Sequence, residues 1–279
     1  MARYIFSGHE SFICKSLWLK KGYDFLKKGY GFNDVDAVVK LGIGKNMVSS
    51  LRFWMKAFRL IEDDKLTDFA DFIFDDEKGV DPFVEDTTTL WLLHYQLVSR
   101  RIASIYSLAF LEYQREKREF DRDAFQSFIK RKCNVPEQKN VYNENSVRRD
   151  ISVFIRNYVK PESMSNPEEF SALLLDLNLL YKSSKTSYAF NETRVTDISP
   201  LVILFVLLDC KGNDSTLSND VLQEIALMFC LPFGVFAEIL QNLADKYSEI
   251  LAYTDNSGVK NVQFLKDTDK YELIRMNYR

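Results

Sequence analysis

Two short stretches carry residues able to move protons or hold a cation. The first is GHES, where His9 stands beside Glu10. An imidazole next to a carboxylate is the kind of pair that serves as general acid or base. The second is DPFVEDTTT, with Asp81, Glu85 and Asp86 in a short span behind Asp75, Asp76 and Glu77. Such carboxylates supply the hard oxygen ligands taken by a divalent metal, magnesium or manganese. Each stretch also has a plainer reading. Ser and Glu commonly serve at helix starts, so GHES suits a local cap for a helix from Ser11. Asp86 or Thr87 suits the opening of a helix that runs to Arg100. The second histidine, His94, lies among Trp91, Leu92, Leu93 and Tyr95, which is the setting of a hydrogen-bonded core residue.

The stretch VVKLGIGKNMVSSLRFW contains Gly42, Gly44 and Lys45. A phosphate-binding loop requires a glycine five positions before Gly44, and that place holds Val39; it also requires Ser or Thr after the lysine, and that place holds Asn46. No nucleotide is expected there. The glycines read instead as the turn between two helices. Val35, Val38, Val39 and Leu41 suit a short buried helix before the turn. After it, Met47, Leu51, Trp54, Met55 and Phe58 form one apolar stripe at helical spacing. Lys45, Ser49, Arg52 and Lys56, with Asn46, occupy the opposite face. A helix with one face for the core and one of cations and hydroxyls is what recognition of a nucleic-acid groove requires. Lys15, Lys20 and Lys21 add positive charge on the preceding segment. Arg59-Leu60-Ile61, the acidic turn Glu62-Asp63-Asp64 and Lys65-Leu66-Thr67 then suit a short hairpin, or wing.

The pattern recurs. In ENSVRRDISVFIRNYV, Val147, Ile151, Phe154, Ile155 and Tyr158 repeat the stripe, with Asn145, Arg149, Ser152 and Arg156 as the polar counterparts and Arg148 as a further expected DNA contact. FDRDAFQSFIKRKC precedes it as an amphipathic helix carrying Lys130, Arg131 and Lys132. A helix from about Pro167 and two strands in LNLLYKSSKTSYAFN follow. A third version comprises NDVLQEIALMFCL, a break at Pro232 and Gly234, VFAEILQNLADKYSEI, and a hairpin turning at Asp255-Asn256-Ser257-Gly258. The expected fold is therefore mainly α-helical: tandem winged helix-turn-helix units with short β-hairpin wings, over residues 1–100, 101–195 and 196–279.

Charge distinguishes these units. Residues 1–60 hold eleven Lys or Arg against four Asp or Glu, while residues 61–99 hold two against eleven. Residues 100–160 hold fourteen against eight, and the remainder ten against seventeen. A net charge of −3 thus conceals two basic blocks, each around a candidate recognition helix, which points to DNA as partner. The third unit presents Glu238, Gln241, Asn242 and Asp245 on its outward helix and suits a protein partner or a structural role. The hydrophobic share of 46% supplies ample core, and ten glycines with six prolines argue against disorder. Cys14, Cys133, Cys210 and Cys230 are too scattered for a zinc finger or disulfide scaffold, so a reduced cytoplasm is the expected location. The apolar run from Pro200 is too short to span a bilayer and suits a buried helix; no membrane is expected.

The strings FSGHESFICKSLWLKKGYDFL, LGIGKNMVSSLRFWMKAFRLI and DPFVEDTTTLWLLHYQL resemble the bacterial domain of unknown function family 4007. The resemblance is densest over residues 6–98. It implies a place in DNA phosphorothioation and phage defence, as a DNA-nicking component beside a cysteine desulfurase, an ATP-dependent sulfur-transfer protein and an ATPase. Three functions stay open from the residues themselves: a nickase placed by winged helices, a non-catalytic DNA-reading module or transcriptional regulator, and a protein-interaction scaffold.

Overall fold

The computed structural model of the chain describes residues 3–162, 170–256 and 259–278. The chain divides into two compact units, Met1–Asn191 and Glu192–Arg279. The second begins close to the expected boundary at 196, whereas the expected boundary at residue 100 falls inside the first unit.

The first unit opens with α1 (Trp18–Lys27), α2 (Ala37–Leu41) and α3 (Lys45–Ala57). In α2 only Ala37 and Leu41 are buried, because a five-residue helix offers one inward i, i+4 pair. The expectation of a buried valine face is overturned: Val35 is 104% exposed and Val39 82%. Gly42 ends α2 in the left-handed region (φ 64°), whereas Gly44 is extended and caps α3. Leu51, Trp54 and Met55 on α3, with Phe58 just beyond it, are wholly buried, so the apolar stripe is the core face as expected. The chain then forms the hairpin of β1 (Ile61–Glu62) and β2 (Lys65–Leu66), in which Glu62 pairs with Lys65. Asp63 and Asp64 both take positive φ (49° and 60°), as a two-residue type I′ turn demands.

Helix α4 (Asp68–Phe74) is capped by the Thr67 hydroxyl, which accepts from the Ala70 amide. Helix α5 (Thr87–Ser99) is capped by Asp86 and is buried from Thr88 to Val98, so it runs through the core. Its His94 is fully buried, with Nδ1 2.7 Å from the Tyr158 hydroxyl, the core role expected. Helix α6 (Ser104–Ser107) continues through a π turn (Leu108–Tyr113) into α7 (Gln114–Glu116).

From there the first unit runs β3 (Glu119–Asp121), α8 (Arg122–Cys133), α9 (Glu144–Tyr158), β4 (Leu180–Lys182) and β5 (Ser187–Phe190). The strands form an antiparallel sheet in the order β3-β5-β4. Helix α9 buries Val147, Ile151, Phe154, Ile155 and Tyr158, the expected stripe. The helix expected from Pro167 begins outside the described residues; the chain beyond them is 3-10 at 170–171 and again at Leu175–Leu177 before the hairpin.

The second unit repeats that element order: α10 (Pro200–Lys211), β6 (Thr216–Ser218), α11 (Asn219–Met228), α12 (Phe233–Lys246), β7 (Leu251–Asn256) and β8 (Val259–Phe264), then α13 (Lys270–Arg275). Its sheet order is β6-β8-β7, again with the first strand paired to the last. Helices α11 and α12 meet at 110° around Pro232; Gly234 lies within α12 rather than at the break. Helix α10 is the buried apolar helix expected, with Val202–Leu208 in the core. Ser257 and Gly258, the expected hairpin turn, lie outside the described residues. Among those described, no single helix is long and apolar enough to cross a membrane.

Candidate nucleic-acid interface

Helices α3 and α9 are tied together by the loop Ser7–Ser11. Asp150 of α9 is buried, and its two carboxylate oxygens accept the Ser7 amide, both at 3.0 Å. His9 stacks on Trp54 of α3 with ring centroids 5.8 Å apart. Gly8 lies so close to α3 that a Cβ there would stand 2.2 Å from the Phe53 ring. Arg156 of α9 donates to the Ser11 carbonyl (3.0 Å), and the Trp54 indole donates to the Phe12 carbonyl (3.3 Å). Ser7, Glu10 and Ser11 all hold positive φ (68°, 49° and 65°), a strained path that persists only where surrounding contacts fix it.

This bracing corrects the expectation for His9 and Glu10. Burial and two inward-facing nitrogens leave His9 no edge for a reacting group. Nδ1 accepts the Ser11 amide at 3.1 Å, so the ring proton sits on Nε2, 3.2 Å from Asp150 Oδ1. That approach is near enough for electrostatic attraction but too poorly aligned for a hydrogen bond. Glu10 is exposed on the loop. The pair reads as a strut and a surface residue.

Asp81, Glu85 and Asp86 likewise do not converge as metal ligands. Asp81 is buried, and its carboxylate accepts the amides of Glu85 (2.9 Å) and Asp86 (3.0 Å). Asp86 is committed to the Thr88 amide at 2.7 Å. Among the described residues no group of three His, Cys, Asp or Glu could hold a metal ion. The run is a turn-and-cap device, because short carboxylates satisfy local amides more readily than they gather around a distant point.

The expected DNA contacts separate into three groups. Lys45, Asn46 and Ser49 lie exposed on the first turns of α3, where the Ser49 hydroxyl donates back to the Lys45 carbonyl (3.4 Å). Arg52 and Lys56 extend that face, but both meet Asp64 at the tip of the hairpin. Arg52 Nε donates to Asp64 Oδ1 at 2.8 Å, a second guanidinium nitrogen contacts Oδ2, and Lys56 Nζ lies 3.6 Å away. The Arg52 bond, helped by Lys56, holds the Asp64 carboxyl below the usual range. Lys20 is removed from the interface altogether: it is buried, 2.6 Å from both Asp24 and Asp76. Lys15 lies over the Trp18 ring, and Lys21 on α1 donates to the Leu41 carbonyl.

On α9, Arg148 faces Glu144 and Gln126, while Arg149 is exposed and bonds only the Asn145 carbonyl of its own helix. Ser152 and Arg156 line a groove of about 330 Å3 with Arg122, Lys160, Lys182 and Tyr188. Arg122 lies over the Tyr188 ring at 6.0 Å, Lys160 reaches Asp176, and Lys182 reaches Glu162. No spacing along the chain singles out Arg122, Lys160 or Lys182, because they come from a helix start, a helix exit and a strand. By contrast the conspicuous run Lys130-Arg131-Lys132 is partly spent inside the fold, with Arg131 on Glu116 and Lys132 on Glu112. On α12, Glu238, Gln241, Asn242 and Asp245 are exposed, and Gln241 bonds Asp245.

The pattern of a family described as protein of unknown function (DUF4007) matches residues 6–278. The fold is similar to two SspB crystal structures, one of them bound to magnesium ion. Each superposes with a TM-score of 0.80 at 24% identity, over 98% of this chain and 86% of that one. No curated protein matches the sequence significantly.

Proposed function

The chain belongs to the DUF4007 family, and we propose that it is a DNA-binding component of a bacterial phosphorothioate-modification and phage-defence system. Its repeated order of helix, strand, helix pair and hairpin supports a reading as winged helix-turn-helix units, with the hairpin as wing. The 110° angle of α11 and α12 supports this reading, since helix-turn-helix pairs cross at about 90–120°. On this reading residues 1–100 form a reduced version whose wing has only β1 and β2.

The observation that carries the proposal is the groove beside α9. Arg122, Arg156, Lys160 and Lys182 line it around a single carboxylate, Glu162. Cations from a helix, its neighbour's start and a wing strand suit a phosphodiester backbone lying between helix and wing. Lys45, Asn46 and Ser49 on α3 offer a second contact.

SspB, whose fold the chain shares, has been seen with magnesium, and the family resemblance implies nicking beside a cysteine desulfurase, a sulfur-transfer protein and an ATPase. In this chain Asp81, Glu85 and Asp86 do not fit a metal, and His9 is buried with Nδ1 held by the Ser11 amide, so no cleavage step is assigned to them. Holding DNA is the role these residues support. Titrating labelled duplex with the chain at rising salt tests it: log K should fall against log salt with a slope of about −3 to −5. Arg149→Ala and Lys182→Ala should each flatten that slope by about one. Absence of binding at low salt refutes the proposal. Supercoiled plasmid with magnesium or manganese tests nicking separately; if open circles form and vanish in His9→Ala while binding survives, the strut reading of His9 fails.

A further inference from the structure

A second cavity, of about 360 Å3, lies between α1 and α2; its lining includes Lys20 and Lys21 but no residue of α3 or α9. Phe25 and Leu41 lie buried along it, and Leu17, Tyr30 and Phe83 border it while exposed. Leu17 and Phe83 are each 59% exposed, and the exposed Val38 and Val39 stand on the same α2 that contributes Lys40 and Leu41. Large apolar side chains clustered in this way on a surface rimmed by charge mark an interaction site.

Phe83 is held outward by design of the local chain. It sits in the turn closed by the Asp81 carboxylate on the Glu85 and Asp86 amides, with the Val84 amide donating to the Asp81 carbonyl (3.1 Å). Val84 itself takes φ 57°, a conformation that a β-branched residue adopts only under constraint. The buried carboxylate thus stabilises a strained turn whose visible product is an exposed phenyl ring over a cavity. This accounts for the DPFVED stretch, which serves no metal.

The rim is positive. Lys20 is neutralised by Asp24 and Asp76, and Lys40 by Asp36, but Lys21 and Lys28 have no carboxylate partner among the described residues. The Lys40 ammonium lies 3.9 Å above the Tyr30 ring, so that ring is already covered against a stacking base. Leu17, Phe25, Leu41 and Phe83 offer an apolar wall and Lys21 and Lys28 two uncompensated ammonium groups, a combination that fits an apolar side chain flanked by carboxylates. We propose that this cavity docks an acidic segment of a partner protein, inserting an apolar anchor beside Phe83 and setting carboxylates against Lys21 and Lys28.

The test is selection of displayed random 12-residue peptides on the full chain, followed by measurement of synthetic copies. Enriched peptides should share a Leu or aromatic anchor flanked by Asp or Glu. Phe83→Ser and the pair Lys21→Glu/Lys28→Glu should each weaken them roughly tenfold or more, while the salt dependence of DNA binding stays unchanged in Phe83→Ser. All three sites are exposed, and Leu17→Ser provides a second apolar variant should either change the melting temperature. The proposal is overturned by no enrichment, by enriched peptides lacking acids, or by equal binding to Phe83→Ser. It is equally overturned if Lys21→Glu/Lys28→Glu weakens oligonucleotides instead, or if Phe83→Ser abolishes self-association of the chain.

Discussion

Asp64 is the residue through which the α3 reading can be tested most sharply. It sits at the tip of the first hairpin and engages both Arg52 and Lys56, two of the cations that would meet phosphate. If α3 meets DNA, this carboxylate competes with the backbone. Asp64→Asn removes the charge and keeps the fold, because Asn tolerates the positive φ of 60° that the turn imposes. Two contributions add. A phosphate about 8 Å from Asp64 is repelled by roughly 0.5 kcal/mol in water-like dielectric. Freeing Arg52 and Lys56 from a largely exposed pair recovers about 0.2–1 kcal/mol that binding otherwise spends. Together they predict DNA binding roughly three- to tenfold tighter at low salt. If both freed cations then neutralise phosphates, the salt slope steepens by up to about 1.8. The Arg52 bond depresses the Asp64 carboxyl, so the pair stays intact until the pH falls below about 4 and wild-type affinity should not vary with pH through this group. Fluorescence anisotropy of a labelled duplex reads both quantities, and Arg52→Gln in the same chain should cancel most of the gain. Unchanged affinity and slope in Asp64→Asn, with DNA still bound, would remove α3 from the interface.

Asp150→Ala should destabilise the first unit by about 2–4 kcal/mol, because the Ser7 amide loses its charged acceptor and His9 its buried counterpart; urea denaturation reads it, and a loss below about 1 kcal/mol contradicts the bracing role. Gly8→Ala should cost about 1–3 kcal/mol through collision with the Phe53 ring, and Phe53→Ala in the same chain should recover part of that loss, a non-additivity that a double-mutant cycle measures. Burial alone would raise the Asp71 carboxyl, but bonds from Lys27 and Tyr23 hold it low, and Lys27 foremost depresses Asp75 as well. Carboxyls depressed on folding stabilise above their unfolded value near 4 and lose that contribution as the pH falls further. Melting temperature should therefore drop between pH 5 and 3 less steeply in Lys27→Gln than in the wild type, and parallel curves would exclude the cluster as the source.

What the sequence encodes directly is which face of an element is buried. The stripe Leu51, Trp54, Met55, Phe58 was legible because a helix that keeps one apolar face can only dock it, and all four are fully buried. The hairpin around Glu62-Asp63-Asp64 was legible because aspartates between two short apolar stretches favour a turn, and the pairing of Ile61 with Leu66 closes it. Partners across long separations were not. Nothing near Asp150 in the chain announces the Ser7 amide, 143 residues away, and nothing near Lys20 announces Asp76. Strand β3 was missed because three residues, Glu119–Asp121, are too few to show alternation. The α2 valines misled because hydrophobicity signals burial only on average, and a five-residue helix has only one face to bury.

The same distinction reorders the two basic blocks. Charge counted along the chain makes residues 1–60 the more positive, yet the acidic run that follows folds back onto them. Lys20 meets Asp76, Lys27 meets Asp71 and Asp75, Arg52 and Lys56 meet Asp64, and Arg59 meets Glu62. Much of that first surplus is therefore internal neutralisation, which any fold needs when opposite charges are segregated in sequence. The second block is neutralised differently: Arg131, Lys132 and Arg148 find acids, but Arg122, Arg149 and Arg156 make no ion pair among the described residues. A polyanion gains most from cations that surrender no existing partner on binding. On that ground α9 and the groove beside it, rather than α3, should supply the larger share of DNA affinity, and α3 should contribute through Lys45 and the polar groups of its first turns.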